Sequence, residues 1–269
     1  DAKCHVILSG AGVVIGDAIN ECKALAEKLD APVCNGYQHN DSFPGSHPLA
    51  VGPLGYNGSK AAMQLISKAD VVLALGTRLN PFSTLPGYGI DYWPKNANII
   101  QVDMNPDRIG LTKKVTVGIA GDAKQVAKQI FDKLSSNAGD SGREDRKNLI
   151  HQTKSAWLQT LTSLDHEDDD PGTVWNKEAR ERDKDRMSPR QAWRAIQAAM
   201  PEDAIISSDI GNNCAIGNAY PTFEKPRKYL APGLFGPCGY GFPSILGAKI
   251  GCPDTPCLLY TSPSPRDDL

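Results

Sequence analysis

No apolar run in this 269-residue chain approaches the roughly 20 residues that a helix needs to span a bilayer, so no membrane segment is expected. Strong charge is missing too. A formal net charge of -2 gives the chain no electrostatic reason to seek nucleic acid or an anionic membrane surface, and neither is expected as a partner. Seven cysteines (Cys4, Cys22, Cys34, Cys214, Cys238, Cys252, Cys257) include no Cys-x-x-Cys pair and form no short secreted framework. Free thiols in a reducing compartment, the cytoplasm by default, follow from that spacing. The start, Asp1-Ala2-Lys3-Cys4-His5-Val6, has neither Met nor a signal-peptide pattern and enters a strand at once, so the sequence reads as a piece of a longer chain. What is present, 40% hydrophobic and 22% charged residues, suits a water-soluble enzyme with a sizeable core.

Residues 1–136 predict a doubly wound α/β domain with a parallel sheet. Short, unalternating apolar runs occur at Val6-Ile7-Leu8, Ala31-Pro32-Val33-Cys34, Val71-Val72-Leu73-Ala74-Leu75, Ile99-Ile100-Gln101-Val102 and Val115-Thr116-Val117. Runs of that kind belong to strands buried on both faces, and helix-period segments separate most of them. Asp17 is placed to cap a helix whose Ile19, Cys22, Leu25, Ala26 and Leu29 share one face; Asp122 is placed to cap another in which Val126, Ile130 and Leu134 recur every fourth residue. Both stripes read as core contacts. After the first strand, Gly10-Ala11-Gly12-Val13-Val14-Ile15-Gly16 resembles a dinucleotide loop but misplaces its third glycine, and Asn35-Gly36 stands where a ribose-binding carboxylate belongs. A structural turn is the simpler reading.

Residues 137–187 read as a polar linker, and a second α/β region starts at residue 188, with Ser188 as N-cap and Pro189 at the first helical position. There an apolar strand, Ala204-Ile205-Ile206, runs into Ser207-Ser208-Asp209-Ile210-Gly211-Asn212-Asn213. Further on, Gly236-Pro237-Cys238-Gly239-Tyr240-Gly241-Phe242-Pro243 leads into an apolar helix. Glycines without a Cβ let backbone approach a ligand, and a following helix offers unpaired N–H groups, an arrangement suited to phosphate. An isolated glycine cluster is more often a tight turn.

The whole string resembles the opening of the diphosphate-binding domain of thiamine-diphosphate-dependent enzymes, the acetolactate synthase superfamily. His47-Pro48-Leu49-Ala50-Val51-Gly52-Pro53-Leu54-Gly55-Tyr56-Asn57-Gly58, Gly76-Thr77-Arg78-Leu79, Val102-Asp103-Met104-Asn105-Pro106 and Gly121-Asp122-Ala123 follow that family's order. The resemblance implies a central domain at 1–136, the polar linker, and the N-terminal part of a diphosphate-binding domain at 188–256. Residues 34–48, 80–94, 165–172 and 212–220 are similar to one branch of the superfamily, which transfers an acetyl group from sulfoacetaldehyde to phosphate and releases sulfite. Implied cofactors are thiamine diphosphate and Mg2+. Ile210, Gly211, Asn212 and Asn213 are expected along the diphosphate, the two amides as neutral donors. Gly236 is expected to offer its carbonyl to the aminopyrimidine, and Cys238 to stand where the family usually has a Met wedge. FAD is not expected, because Arg78-Leu79-Asn80-Pro81-Phe82 replaces the family's Arg-Phe-Asp-Asp-Arg pattern. The resemblance also implies a homodimer or homotetramer and an activating Glu from an amino-terminal domain.

Other residues invite functional readings that milder ones rival. Cys238 lacks a recognisable His partner and is expected to pack rather than attack. His39 could meet a sulfonate or phosphate, and Arg78 an anion, yet solvated loops and surface ion pairs account for most such residues, His47 included. The acidic run 165–170 and the mixed-charge run 180–186 read as solvated segments. Residues 257–269 resemble translated adapter sequence; Pro263 and Pro265 oppose a central strand, and no metal ligand is expected there. A helix N-terminus contributes roughly 0.3–1 kcal/mol toward an exposed anion, against about 8 kcal/mol for micromolar binding, so the chain alone is expected to be inactive. Two rival readings are an acetolactate-synthase-like carboligase and a noncatalytic nucleotide-binding module.

Overall fold

Six parallel strands make the larger sheet, in the order β3-β2-β1-β4-β5-β6. They are β1 (His5–Ser9), β2 (Val33–Asn35), β3 (Ala50–Pro53), β4 (Val71–Leu75), β5 (Asn98–Asp103) and β6 (Val117–Ala120). The computed structural model describes residues 2–55, 57–163, 189–233 and 235–261. The direction in which successive strands are added reverses between β1 and β4, where a doubly wound sheet opens a crevice at its carboxyl ends. Every residue of β1 is buried, as unalternating apolar sequence requires. Two strand expectations change. β3 was not foreseen, since Gly52 and Pro53 interrupt its apolar pattern, and β6 lies two residues later than Val115-Thr116-Val117 because Thr116 pairs with Ile99 ahead of the ladder.

Helices α1 (Ala11–Ile15), α2 (Ile19–Leu29), α3 (Lys60–Ile66), α4 (Ala123–Lys133) and α5 (Arg143–Ser163) cover this sheet. In α2, Cys22, Leu25 and Ala26 are buried and Ile19 and Leu29 pack beside them; Val126 and Ile130 of α4, with Leu134 at its C-cap, pack against the same core. Asp122 caps α4 as expected, accepting from Lys124 N at 3.0 Å and Gln125 N at 3.1 Å. Asp17 does not cap α2: Ala18 holds that position, while Asp17 sits at φ 52° and pairs with Lys124 Nζ at 3.1 Å.

The first part of the expected linker is tied to the larger sheet. Arg146, on α5 and only 3% exposed, donates to five backbone carbonyls: Lys3, Leu29, Asp30, Gly139 and Ser141, at 2.5–3.0 Å. Ile150 joins the same core. The runs at 165–170 and 180–186, and Ser188, lie outside the described residues.

A second, smaller sheet has the order β8-β7-β9, again all parallel, from β7 (Ile205–Ser208), β8 (Tyr229–Leu230) and β9 (Cys257–Tyr260). Helices α6 (Pro189–Ala199), α7 (Asn212–Ala219) and α8 (Gly241–Gly251) accompany it. Pro189 opens α6, as its missing N–H allows. Residues 257–260, expected to open an adapter-derived tail, form β9. Cys257-Leu258-Leu259-Tyr260 is an apolar run ahead of Pro263, and its register Ile206↔Leu258 and Ser208↔Tyr260 completes the sheet. Tyr260 also meets Trp193 edge-on, with ring centroids 5.0 Å apart.

Candidate functional site

At the carboxyl end of β7 the chain turns through Asp209-Ile210-Gly211 into α7. Gly211 occupies the N-cap of α7 at φ 140°, ψ -164°, and makes no side-chain cap. Only glycine holds that backbone without strain. The N-terminus of α8 reaches the same place: a Cβ on Gly241 would stand 3.1 Å from Asp209 Cβ, and Ser207 Oγ donates to Gly241 O at 3.0 Å. Tyr240, at the α8 N-cap, supplies no side-chain cap either. Two helix starts without side-chain caps therefore converge on one strand end, an arrangement that favours an anion.

The expected site residues divide between those that face outward and those that turn in. Gly211 and Asn212 are exposed, Ile210 is half-buried, and Cys238 is exposed with a free thiol. Asn213 is expected beside the diphosphate as a donor, yet it is 4% exposed and its Nδ2 donates inward, to Asp209 O at 2.9 Å and Tyr260 O at 3.1 Å. Gly236, at φ 61°, lies over Ile210, whose Cδ1 would be 3.3 Å from an added Cβ. Asp209 went unremarked although it stands inside the string that marks the site. Its Oδ1 accepts from Ile210 N at 2.7 Å and from Gly239 N at 2.9 Å.

A separate cleft of about 720 Å³ opens over the carboxyl ends of β1 and β4, and Ala231 and Gly233 of the second region line one wall. The glycines of the first loop are there for the backbone: Gly12 N donates to Gly76 O at 2.8 Å, and a Cβ on Gly12 would lie 2.7 Å from Gly76 Cα. That close approach accounts for Gly10, Gly12 and Gly76 without a ligand. Arg78 lines the cleft beside Arg108 and has no ion-pair partner within 4 Å among the described residues; burial, then Arg108, lowers its pKa. His39 lines the same cleft, and burial, aided by Arg78, pushes its pKa down to about 4, so the ring is neutral at neutral pH. His47 is structural: Nδ1 accepts from Leu49 N at 3.1 Å and Nε2 meets Glu27 Oε1 at 3.1 Å.

The loop after β2 joins the two regions. Gln38 N donates to Asn218 Oδ1 at 2.7 Å and Gln38 Nε2 to Cys214 Sγ. Asn40 Nδ2 donates to Asn218 O at 3.0 Å and Pro221 O at 2.9 Å, and Asp41 Oδ2 accepts from Lys228 N at 3.0 Å. Much of the 34–48 string that resembles one branch therefore docks α7 and β8 rather than lining an open pocket. Its signal was legible as a motif; its partners, some 180 residues away, were not.

The residues at the β7 end fit the diphosphate of thiamine diphosphate. Two uncapped helix starts supply N–H groups, and around Gly239 the space is open, since an added Cβ would meet nothing within 4 Å. Among the described residues no group of three or more His, Cys, Asp or Glu side chains is placed to hold a metal ion. No described helix is long and apolar enough to cross a membrane.

Fold and site together define a class, and comparison with known families agrees: residues 1–130 match the thiamine pyrophosphate enzyme central domain, and residues 209–262 the C-terminal TPP binding domain. The chain belongs to the thiamine pyrophosphate enzymes. Over 97% of its length it is 80% identical to a probable sulfoacetaldehyde acetyltransferase of Rhizobium meliloti (strain 1021) and 75% identical to a sulfoacetaldehyde acetyltransferase of Roseovarius nubinhibens, covering 44% and 43% of those proteins. It is 30% identical to a probable acetolactate synthase large subunit of Methanococcus aeolicus, again over 97% of the chain and 42% of the relative. The chain thus spans less than half the length of the curated relatives it matches.

Proposed function

We propose that this chain supplies the central domain and the start of the cofactor-binding domain of a longer acyltransferase that converts sulfoacetaldehyde and phosphate to acetyl phosphate and sulfite. Identity of 70–80% to three relatives named for sulfoacetaldehyde, against 30% to those named acetolactate synthase, favours this substrate over pyruvate. In the reaction the C–S bond of sulfoacetaldehyde breaks, sulfite departs, and the two-carbon unit leaves as an acetyl group on a phosphate oxygen. Thiamine diphosphate, when bound, supplies the carbanion chemistry that makes the aldehyde carbon an acyl donor.

What this chain's own residues contribute is the holding of that group. The observation that carries the reading is the convergence of two uncapped helix starts on the end of β7. N–H groups of Asn212 and of the first turn of α8 would meet the diphosphate oxygens, Asn212 would add its amide from the exposed side, and Asn213 would steady the turn from within. Gly236 would present its carbonyl, and Cys238 would lie beneath the thiazolium. Mg2+ belongs to the same reading, with its ligands outside the described residues; FAD does not, and a homodimer or homotetramer is the proposed assembly.

The test is an assay of the full-length enzyme. Sulfite release and acetyl phosphate formation from sulfoacetaldehyde and phosphate are expected; acetolactate formation from pyruvate in their place would overturn the assignment. The 269-residue chain alone is expected to be inactive and to show no micromolar uptake of thiamine diphosphate with Mg2+ by calorimetry, because a helix start contributes only roughly 0.3–1 kcal/mol.

A further inference from the structure

The turn at Gly239 is held by very little apart from one carboxylate. Gly239 sits at φ 85°, exposed, and a Cβ built on it would touch nothing within 4 Å, so packing does not define its position. Its N–H donates to Asp209, at 2.9 Å to Oδ1 and 3.1 Å to Oδ2, across 30 residues of sequence. The same Oδ1 accepts from Ile210 N at 2.7 Å.

Asp209 itself is anchored from behind. It is 8% exposed, its N–H donates to Tyr260 O at 3.1 Å, and its carbonyl accepts from Asn213 Nδ2 at 2.9 Å. One fixed carboxylate thus ties the strand exit to the glycine-rich loop that contains Gly236 and Cys238.

We infer that Asp209 is a positioning residue for the cofactor: it pins Gly239 to the end of β7 and so sets where Gly236 and Cys238 stand beneath the ring system. The cofactor half of this inference rests on the function proposed above; the clamp itself does not. Its negative charge is a liability next to a diphosphate, and its geometry is the benefit. Both short bonds, to Ile210 N and Gly239 N, run to a single oxygen, which an Asn amide can reproduce. A metal ligand or an acid–base group would lose its role in Asn as completely as in Ala.

Amide hydrogen exchange on the 269-residue chain tests the clamp. Asp209→Ala is expected to speed exchange at Gly239 by roughly ten- to a hundredfold, the size of one lost bond to a charged acceptor, while Asp209→Asn stays within about threefold of the parent. In the full-length enzyme, Asp209→Ala is expected to raise KM for thiamine diphosphate by about tenfold with kcat at saturation little changed, and Asp209→Asn to match or lower the parent KM. Asp209→Ser, with one shorter acceptor, guards against an Ala variant that does not fold and is expected to fall between the two. Unchanged exchange at Gly239 in both Ala and Ser overturns the clamp. Equal loss of activity in Asn and Ala, with normal exchange in Asn, overturns the positioning role in favour of a charge-dependent one.

Discussion

Both sheets of the chain are parallel, yet they differ in what lies over them. The six-stranded sheet has helices on each face and a continuous core that runs from Val6 through Met63, Leu75 and Val102 to Ile150. The three-stranded sheet gathers a small cluster around Trp193, Ile206, Phe223 and Tyr229, while α8 turns Phe242, Leu246 and Ile250, at four-residue spacing, to solvent at 63%, 50% and 74% exposure. A helix this apolar is ordinarily buried. The first region therefore holds most of the buried core, and the second carries the glycine-rich backbone at the end of β7 with little core beneath it.

The sharpest way to break that comparison is to open the larger region at Arg146. Arg146→Ala would take the charged donor from the carbonyls of Lys3, Asp30, Gly139 and Ser141, while Leu29 O keeps His5 Nε2, and a loss of about 2–4 kcal/mol is expected in chemical denaturation, the scale of losing several part-buried bonds to one charged group. A loss below about 1 kcal/mol would mean that α5 is an appendage and that the first region ends near residue 136 after all.

Nothing in the sequence around Arg146 announces this role, because its partners are backbone carbonyls, which carry no residue identity. The strands β1 and β4 were legible since each carries an unbroken apolar run in a sheet covered on both faces, and β5 since Gln101 alone interrupts its run. β3 was not, with glycine and proline in its second half, and neither was β9, a four-residue apolar run just ahead of Pro263 and Pro265. At the site, glycines and amides were legible as types, but direction was not: Asn212 and Asn213 are adjacent letters, and only the fold sends one outward and the other to Asp209 O and Tyr260 O.

A smaller effect comes from the cleft between the regions. With its pKa pushed down to about 4 by burial, His39 resists protonation when folded, whereas the unfolded ring takes a proton below about pH 6.5. The unfolded state thus binds more protons between those values, so stability is full above about pH 6.5 and declines as pH falls toward 4. The half-open cleft screens part of the penalty, and roughly 1–2 kcal/mol of pH-dependent loss is expected from this ring. His39→Gln should flatten that portion of the profile in denaturation curves taken at pH 7 and pH 4.5. Identical pH dependence in parent and variant would show that the ring is solvated and that the wall formed by Ala231 and Gly233 stands open.

The smallest effect is expected on the bare face of α8, and it is the one that separates an apolar residue from a core residue. Ile250 is 74% exposed, so Ile250→Lys removes almost no buried area; the long stem of lysine covers the same patch while its charge reaches water. Stability of the 269-residue chain should change by less than about 0.5 kcal/mol, as for surface positions generally. Ile206, fully buried one strand away, is chemically the same side chain, and its loss belongs to a class that costs roughly 2–5 kcal/mol. Equal thermal shifts for Ile250→Lys and Ile206→Ala would show that the α8 face is packed in solution, and the contrast between a covered and an uncovered sheet would then fail at the helix that follows the glycine-rich loop.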